Sequence, residues 1–422
     1  MDFYTTLAYI LAYIGLIATS FYVINLVTYY RKENIPKPST KEKVTIVIPA
    51  YNEEEGMART IESVLALDYP KEKLEIIVVD DASKDKTLEI AKKFESNQHP
   101  KIKVYAKEKN GGKGSALNYG IAKVKSGIIV TMDADTFVNP DALKIMIGYF
   151  YNDQIMCVSP SIGIYQPKNI LQRIQQIEYY MGVFLRKSFA TMNAIHITPG
   201  AFSAYRKEFF KKHGDFDTNN LTEDLELALR IQSNDYIIEN APEAAVFTIG
   251  PTKFKELLYQ RRRWYVGLMR NLWAYRKLFS PKKGALGTIV LPTAVTTVTL
   301  SIFLTSYLVI KTILKVKEEL VDLSAINFQF NNAFEFNFYT IERIYLTLLS
   351  SKLFILSSLF IVLLLFYMKF SRTKIGYRES IRISFVLFAA LYSLLFTFWW
   401  IISIGYAIFN KKVEWRETNE PK

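Results

Sequence analysis

The stretch VTIVIPAYNEEE, residues 44–55, places a run of mostly β-branched residues directly before a polar turn. Similar apolar runs recur further along the chain, and helical patterns such as residues 115–124 lie between them. Continuous apolar strands that alternate with helices are typical of a largely parallel sheet with both faces covered. We therefore predict an α/β domain from residue 44 to about residue 249. Its first strands are predicted at residues 44–49, 74–79, 102–106 and 127–132.

Polar residues directly follow three of these strands, at residues 51–53, 80–81 and 133–135. Ligands of such sheets bind beyond the carboxyl ends of the strands, so we expect these residues to surround one site. Asn52 is predicted to cap the helix that follows, with Glu55 three residues later completing a capping box.

Asp133 and Asp135 are two carboxylates that point the same way if the chain is extended there. A hard cation such as Mg²⁺ or Mn²⁺ relieves their repulsion and completes its shell with water and phosphate. The single cysteine excludes an internal disulfide and a cysteine-rich zinc site, and three scattered histidines argue against a histidine site. The alternative is a solvated turn ending at residues 139–140, but the position at a strand end favours a metal.

Two further groups suit a nucleotide. Asp80 and Asp81 follow a strand where acids hold ribose hydroxyls or the ring N–H of uracil, and a simple turn is the alternative. The loop NGGKGS, residues 110–115, opens a helix, so Lys113 can meet a diphosphate there. This loop lacks the spacing of a Walker P-loop, and an ordinary loop is its alternative.

Two segments after these strands carry acids and bases. Thr222 is predicted to cap a helix whose first turn holds Glu223 and Asp224, which serve either a proton transfer or only the helix dipole. Residues 253–283 hold ten bases against one acid, interleaved with apolar residues at helical spacing. This pattern predicts a helix lying on an anionic lipid surface, which accounts for most of the arginines. Residues 170–185 form a second amphipathic helix, placed at the interface or in the core.

Four segments are apolar over the ~20 residues that a membrane-spanning helix needs. The basic loops after the first span and before the fourth are expected in the cytoplasm, and the acidic loop after the second is expected outside. We therefore predict a multi-pass cell-membrane protein with a cytoplasmic soluble domain and both chain ends outside, a topology that Lys411 and Lys412 fit poorly. The net charge of +13 suits phosphate and anionic membrane lipid better than nucleic acid here. The predicted spans are residues 5–29, 286–314, 345–368 and 381–409.

The ordered series VIPAYNEEE, VVDDAS, NGGKGSALN, DAD, TED and QRRRW resembles the family-2 inverting glycosyltransferases. It is most similar to the processive membrane branch of cellulose, chitin, hyaluronan and poly-N-acetylglucosamine synthases. The resemblance implies a GT-A-type nucleotide-sugar-binding domain with a mostly parallel sheet, joined to transmembrane helices and interfacial amphipathic helices. The implied parts are a transmembrane helix at 1–30, a catalytic domain at 41–250, a basic interface segment at 251–283, three transmembrane helices at 284–410 and a polar tail at 411–422.

The resemblance also implies roles for single residues. Asp224 would be the general base, and Asp133 and Asp135 would hold Mg²⁺ or Mn²⁺. Ala82 stands where the family usually has glycine. The implied nucleotide-sugar site is Ala50, Tyr51, Glu53, Asp81, Lys113, Asp133 and Asp135. The implied acceptor and diphosphate site is Gly200, Glu223, Gln260, Arg263 and Trp264.

The expected reaction transfers a sugar from a UDP-sugar, with UDP-GlcNAc or UDP-glucose favoured, to a growing β-linked polysaccharide. Asp224 would take the proton of an acceptor hydroxyl, whose oxygen displaces the diphosphate through an oxocarbenium-like transition state. Asp81, Asp133, Asp135 and Asp224 are expected to converge in one cleft. One alternative is a non-processive transferase acting on a polyprenyl-phosphate or lipid-linked acceptor, and the other is a catalytically inactive membrane scaffold.

Overall fold

The computed structural model describes residues 3–31, 35–325, 342, 346, 351–376 and 380–413. Its soluble part is built on one eight-stranded sheet. The strands are β1 (Val44–Ala50), β2 (Leu74–Asp80), β3 (Lys101–Ala106), β4 (Ile128–Met132), β5 (Thr136–Val138), β6 (Ile155–Ile164), β7 (Phe202–Arg206) and β8 (Ile237–Thr248). The helices are α1 (Phe3–Arg31), α2 (Met57–Leu65), α3 (Thr87–Lys92), α4 (Lys113–Ile121), α5 (Ala142–Gly148), α6 (Ile170–Ala190), α7 (Lys207–His213), α8 (Glu223–Ser233), α9 (Phe254–Ala274), α10 (Leu291–Ala325), α11 (Lys352–Ile375) and α12 (Arg382–Ile408).

The strand order is β3-β2-β1-β4-β7-β6-β8-β5. Strands β1 to β4 pair in parallel, as predicted, and each begins and ends within one residue of its predicted position. Antiparallel pairings of β7 with β4 and β6, and of β5 with β8, make the other half mixed. The parallel half therefore brings the carboxyl ends of β1, β2 and β4 to one edge.

Both faces of β1, β2 and β4 are buried, which explains why these three strands lack alternation. Ile46 and Ile48 of β1 pack with Met57 and Ile61 of α2 on one face. Val47 of the same strand packs on the other face, in a cluster that includes residues of α4, α7 and α8. Because side chains alternate along a strand, two apolar layers fix the sheet between them and hold its polar strand ends in place.

The prediction that Asn52 caps the next helix is wrong. Helix α2 begins at Met57, and Asn52 has φ +52° in the preceding turn. The Asn52 side-chain oxygen instead accepts a hydrogen bond from the backbone N–H of Lys84 at 2.8 Å. Asparagine tolerates the left-handed region, so this residue ties the loop after β1 to the loop after β2.

Helix α6 lies in the core, between the sheet and the apolar helices. Phe184 stacks on Tyr367 of α11 with ring centroids 3.5 Å apart. The backbone oxygen of Tyr180 accepts a hydrogen bond from Ser371 of α11 at 2.6 Å. Of the two placements left open by the sequence, the structure therefore has the core placement.

Among the residues that the structure describes, four helices are long and apolar enough to cross a membrane: Phe3–Arg31, Leu286–Asp322, Phe354–Ile375 and Arg382–Ile408. They match the four predicted spans, although the third lies about seven residues later than predicted at its end. The predicted start of that span at residues 345–350 falls almost wholly outside the described residues, as do Glu335, Arg378 and the tail beyond residue 413.

The prediction that the C-terminal end lies across the membrane from the soluble domain is wrong for residues 410–413. Ser384 near the start of α12 donates a hydrogen bond to Gln176 of α6 at 2.9 Å. Just after its end, the Asn410 side chain accepts one from Arg270 of α9 at 3.2 Å. Lys412 and Val413 then line a cavity of the soluble domain. Hydropathy shows that a helix is long and apolar enough to cross lipid, but not which contacts its two ends make, so the sequence could not reveal this.

The prediction that most arginines of the basic segment face lipid also fails for two of them. Arg261 of α9 is fully buried, and its guanidinium pairs with Glu178 at 2.6 Å. Arg262 is 8% exposed and lies over the ring of Tyr406 at 4.3 Å. Charge counting misses this because α12 covers one face of α9, and Glu178 comes from a distant part of the chain.

Candidate functional site

A cavity of about 420 Å³, here called the strand-end cavity, lies at the carboxyl ends of β1, β2 and β4. This is where a parallel sheet binds its ligands. The seven residues predicted to bind a nucleotide sugar all line it: Ala50, Tyr51, Glu53, Asp81, Lys113, Asp133 and Asp135. Their convergence is observed, whereas their individual roles stay predictions.

Asp81 organises the glycine loop beside this cavity. Its carboxylate accepts hydrogen bonds from the backbone N–H of Gly111 at 3.1 Å and of Gly112 at 2.7 Å. It also pairs with Lys107 at 2.5 Å, and its side chain is 3% exposed. Gly112 has φ +81°, which glycine adopts without strain. Both carboxylate oxygens of Asp81 are thus engaged in holding the loop. A ligand can therefore contact only the outer edge of this carboxylate.

Lys113 links two groups of acids. Its ammonium lies 2.6 Å from Asp133 and 3.5 Å from Glu223. Burial alone would lower the pKa of Lys113, but Asp133, Glu223 and Asp224 together hold it above its usual value. The lysine is therefore a permanent positive charge between the strand ends and the start of α8.

Negative charge accumulates around Asp135. Asp135 opens onto the cavity, but the surrounding protein partly desolvates its carboxylate, and this, followed by repulsion from Asp133 and Glu53, raises its pKa to about 7 against the opposing effect of Lys113. A carboxylate with so high a pKa is under-compensated by the protein's own cations. A divalent cation at this point would relieve the repulsion.

Asp224 lies at the start of α8, where Thr222 occupies the N-cap position as predicted. The Thr222 hydroxyl accepts a hydrogen bond from Asn271 at 3.0 Å, and no capping bond from it to the helix is present. Burial, and then the neighbouring Glu223, raise the pKa of Asp224 to about 6, against the opposing effect of Lys113 and Arg263.

Gly200 explains how Lys113 and Asp224 come together. A Cβ atom at this position would lie 2.6 Å from the Lys113 ammonium and 3.0 Å from Oδ2 of Asp224. Only glycine leaves room for both side chains to approach this backbone segment. Thr198, two residues earlier, donates a hydrogen bond to the backbone oxygen of Asp224 at 3.0 Å.

The tryptophan cavity, of about 350 Å³, holds Asp224 and is distinct from the strand-end cavity. Trp264 and Tyr265 of α9 line it, together with Glu178 and Arg186 of α6. Trp264 is held in place by Arg261, whose guanidinium lies 4.2 Å from the centre of its ring. An aromatic face beside a partly exposed carboxylate of raised pKa suits a polar ring that carries hydroxyl groups.

A third, large cavity of about 870 Å³ adjoins the strand-end cavity, since Glu53 and Asp135 line both. Gln260 and Arg263 face it from α9, one turn apart. Arg263 donates a hydrogen bond to the backbone oxygen of Leu221 at 3.0 Å. Helix α9 therefore presents Gln260 and Arg263 to one cavity and Trp264 to another.

The prediction of a single cleft shared by all four aspartates is wrong. Asp81, Asp133 and Asp135 line the strand-end cavity, whereas Asp224 lines the tryptophan cavity. Lys113 lies between them: its ammonium pairs with Asp133, and it approaches the Asp224 carboxylate at Gly200. The sequence could place each acid at the end of an element, but it could not show that a lysine side chain would lie between them.

Some residues of the site were missed. Lys107 follows β3, so the rule that picked out Asp81 would have found it. Arg186 gave no signal, because its significance depends on which carboxylates the fold leaves out of its reach. Lys412 and Val413 were assigned to a polar tail, and their position in the strand-end cavity depends on the path of α12.

No group of three or more His, Cys, Asp or Glu side chains that could enclose a metal occurs in the described part of the chain. A pair of carboxylates with water and phosphate oxygens is nevertheless the usual environment of Mg²⁺ at a nucleotide. The donor set of Asp133 and Asp135 fits that second kind of site.

Residues 45–214 match the family described as glycosyl transferase family 2. A poly-β-1,6-N-acetyl-D-glucosamine synthase of Staphylococcus epidermidis is 34% identical over 239 residues, which are 55% of this chain and 57% of that protein. The synthase of the same name from Staphylococcus aureus strain COL is 33% identical over 242 residues, 56% of this chain and 58% of that protein. The chain thus matches less than two thirds of the length of these relatives.

A solved mannosyltransferase from Pyrobaculum calidifontis, in complex with GDP-mannose and Mn²⁺, is similar in structure. The likeness covers 72% of this chain and 92% of that one, with a TM-score of 0.52 and 22% identity. At this identity it shows a shared fold. The soluble part is accordingly a GT-A-type domain, as expected from the sequence.

Proposed function

We propose that this chain, whose residues 45–214 form a glycosyl transferase family 2 domain, is a membrane-integrated inverting glycosyltransferase. It would transfer a sugar from a UDP-sugar to a growing β-linked polysaccharide. UDP-GlcNAc is the first candidate donor, because the two staphylococcal relatives are named poly-β-1,6-N-acetyl-D-glucosamine synthases. UDP-glucose is the second.

The contact that carries this proposal is Lys113 between Asp133 and Glu223, with Asp224 beside it at Gly200. The ammonium of Lys113 thus lies between two cavities. One is the strand-end cavity, which suits a nucleotide, and the other is the tryptophan cavity, which holds the proposed base. A sugar bridging this point would have its diphosphate on one side and its acceptor on the other. Such a geometry suits displacement from opposite faces, which inverts the anomeric centre.

Asp224 is proposed as the general base that takes the proton of the acceptor hydroxyl. With a pKa near 6 it is ionised at neutral pH and is basic enough to accept a proton as the new bond forms. Lys113 and Arg263 are proposed to counter the charge that develops on the leaving diphosphate. Trp264 would offer its ring face to the acceptor sugar.

Asp133 and Asp135 are proposed to hold Mg²⁺ or Mn²⁺, because partial desolvation and mutual repulsion leave Asp135 with a pKa of about 7 in the protein alone. When bound, the cation would supply Lewis-acid stabilisation of the diphosphate. Asp81 and its glycine loop, with Ala50, Tyr51 and Glu53, are proposed to hold the nucleotide. The four apolar helices support a cell-membrane location, with the soluble domain proposed to face the cytoplasm.

The test is to incubate the purified full chain in lipid nanodiscs with a panel of radiolabelled UDP- and GDP-sugars and Mg²⁺ or Mn²⁺. We expect a ladder or polymer from UDP-GlcNAc. The matched control is Asp224→Asn, which keeps the shape of the side chain but cannot accept a proton, so transfer should fall about 10²- to 10⁴-fold while UDP binding persists. A single-sugar adduct on lipid would favour the non-processive alternative, and no transfer from any donor would reject the enzyme.

A further inference from the structure

Arg186 of α6 is a partly buried arginine whose side chain lines the tryptophan cavity. Its Nε atom is buried without a hydrogen-bond partner, and within the described ranges no carboxylate pairs with it. Burial lowers the pKa of Arg186 to about 10, so it remains charged at neutral pH. Burying a charge without a counter-charge is costly, and proteins retain such groups mainly where a ligand uses them.

The neighbouring Arg261 shows the contrast. It is fully buried, whereas Arg186 is only partly buried, and it pairs with Glu178 at 2.6 Å and supports the ring of Trp264. Glu178 itself lines the tryptophan cavity, yet its charge is directed to Arg261 and not to Arg186. The protein therefore pairs the fully buried Arg261 internally and leaves the partly buried Arg186 for the cavity.

Gly182 makes room for the Arg186 side chain. A Cβ atom at position 182 would lie 3.2 Å from one terminal nitrogen of the guanidinium and 3.7 Å from its carbon. The group therefore folds back over its own helix, one turn earlier, at a residue that also lines the cavity. This placement keeps the planar donors of Arg186 at the cavity wall.

We propose that Arg186 binds the acceptor sugar and orients it for attack, by donating hydrogen bonds from its guanidinium to oxygens of the acceptor. The proposal rests on the function proposed above, because it takes the tryptophan cavity as the acceptor site. The cavity volume of about 350 Å³ is at the small end of the roughly 300–1,000 Å³ of ligand pockets, so the reach of Arg186 covers much of it.

The acids in the cavity decide which acceptor chemistry fits. Asp224 lines it together with Arg186, and Glu178 is already paired with Arg261, so an anionic group would meet the Asp224 carboxylate beside the one unpaired guanidinium. Hydroxyl and amide-carbonyl oxygens of a neutral sugar avoid that repulsion and still satisfy the planar fork of donors. A neutral N-acetylated or plain hexose unit is therefore favoured over the phosphate of a lipid-linked acceptor.

The experiment compares Arg186→Met with the matched control Arg261→Met in the full chain in nanodiscs, using β-1,6-linked N-acetylglucosamine oligosaccharides as acceptor. For Arg186→Met, the acceptor KM should rise about 10- to 100-fold, the factor expected when charge-assisted hydrogen bonds are lost. The KM for UDP-GlcNAc should change less than about twofold. The rate at which UDP-GlcNAc is hydrolysed in the absence of acceptor should also change less than about twofold. Arg186→Lys keeps the positive charge but lacks the planar set of donors. Its acceptor KM should therefore lie between those of the unmodified protein and Arg186→Met.

Thermal unfolding separates this role from a structural one. Arg186→Met removes an unpaired buried charge, so its melting temperature should equal or exceed that of the unmodified protein, whereas Arg261→Met strands Glu178 and should melt lower. An unchanged acceptor KM in Arg186→Met would overturn the proposal, as would an equal loss of donor binding. Dependence on Arg186 only with a phosphate-linked acceptor would also reject it.

Calorimetric titration of the oligosaccharide in the presence of UDP distinguishes the two proposals. If the unmodified protein binds the oligosaccharide, Arg186→Met does not, and no sugar is transferred, the acceptor contact stands and the proposed reaction fails. If transfer occurs and both proteins bind the oligosaccharide equally, the reaction stands and the role of Arg186 is rejected.

Discussion

Asp224 and Asp135 both have raised pKa values, and their positions predict different effects of acid. Asp224 lies in the tryptophan cavity with a pKa of about 6, and Asp135 lies in the strand-end cavity with a pKa of about 7. Protonated Asp224 cannot act as a base, whereas protonated Asp135 can no longer hold a cation well. The two effects should appear in different kinetic constants.

We therefore expect kcat at saturating donor to fall as pH drops through about 6, approaching a tenfold loss per pH unit below it. The sign follows from the base form, which is present above the pKa and lost below it. Donor KM should rise on the acid side over a range that shifts with the concentration of Mg²⁺, because the cation competes with protons for Asp135. A kcat that stays level between about pH 7 and pH 5 would remove Asp224 from the role of base.

Ala82 is a residue at which the fold and the side chain disagree. It has φ +62°, in the left-handed region, directly after the two aspartates that follow β2. A Cβ atom costs about 1–2 kcal/mol there, and glycine loses about 0.4–1 kcal/mol through the entropy of the unfolded chain. Ala82→Gly should therefore stabilise the domain by about 0.5–1 kcal/mol.

The measurement for Ala82→Gly is thermal unfolding followed by intrinsic fluorescence in detergent. Its control is Ala91→Gly within α3, where φ is helical and glycine should instead lower stability by about 1 kcal/mol. If both substitutions lower the melting temperature equally, the strain at Ala82 is not real.

Single residues also show which parts of the site could be predicted from the sequence. Asp81, Lys113, Asp133 and Asp135 were identifiable because a parallel sheet gathers whatever follows its strands. Arg186 could not be identified from the sequence. Whether an arginine lacks a counter-charge depends on which carboxylates the fold brings near it. The left-handed turn at Ala82 was hidden too, because alanine carries no turn signal.

At the scale of elements, Glu243 of β8 joins the sheet to two of the apolar helices. Its carboxylate accepts hydrogen bonds from Tyr149 at 3.0 Å and from Tyr30 of α1 at 3.3 Å. It also pairs with Lys374 of α11 at 2.7 Å. The ammonium of Lys374 in turn lies 4.2 Å from the centre of the Tyr30 ring. Three elements far apart in sequence thus meet at one partly buried carboxylate.

Glu243→Gln should lower the stability of this joint by about 1–3 kcal/mol, because Lys374 loses its counter-charge where water only partly replaces it. The measurement is again the melting temperature in detergent, with Lys374→Met and the double variant to complete a cycle. Asp68→Asn is the control, since the Asp68–Lys144 pair is exposed and should contribute less than about 1 kcal/mol. If the effects of Glu243→Gln and Lys374→Met on the melting temperature were additive, the two side chains would not be coupled, which would contradict the proposed connection between the sheet and the apolar helices.

Elements were predicted best where burial is two-sided. Strands β1, β2 and β4 are mostly apolar and almost wholly buried, and a run of that kind has few other structures available to it. Helix α6 was ambiguous because its apolar stripe suits a protein core as well as a lipid surface, and only the position of α11 decides between them. Helix α9 was misjudged for the same reason, since α12 covers Arg261 and Arg262.

At the scale of the whole molecule, the path of α12 determines where residues 410–413 lie. The helix has 27 residues and is therefore about 40 Å long. It contacts α6 near its start through Ser384, and α9 along its length through Trp400, which stacks on Tyr265 with centroids 4.5 Å apart. Its end delivers Lys412 and Val413 to the strand-end cavity. Because α12 contacts the soluble domain near both of its ends, we expect its end to lie on the same side of the membrane as that domain.

This path predicts the side from which residue 412 can be labelled. In a chain carrying Lys412→Cys, a membrane-impermeant maleimide should react in inverted vesicles, where the soluble domain faces the reagent, and not in right-side-out vesicles. The native Cys157 is buried in the sheet and should contribute little background. UDP should slow the labelling, since residue 412 lines the same cavity as Asp81 and Lys113.

Two positions calibrate the labelling. Lys86→Cys, exposed on the soluble domain, should label from the same side as Lys412→Cys but without sensitivity to UDP. Phe3→Cys, at the far end of α1 from that domain, should label from the opposite side. Labelling of Lys412→Cys together with Phe3→Cys would mean that α12 crosses the bilayer. The contacts of Ser384 and Asn410 with the soluble domain could then not both exist, because one end of the helix would lie beyond the membrane.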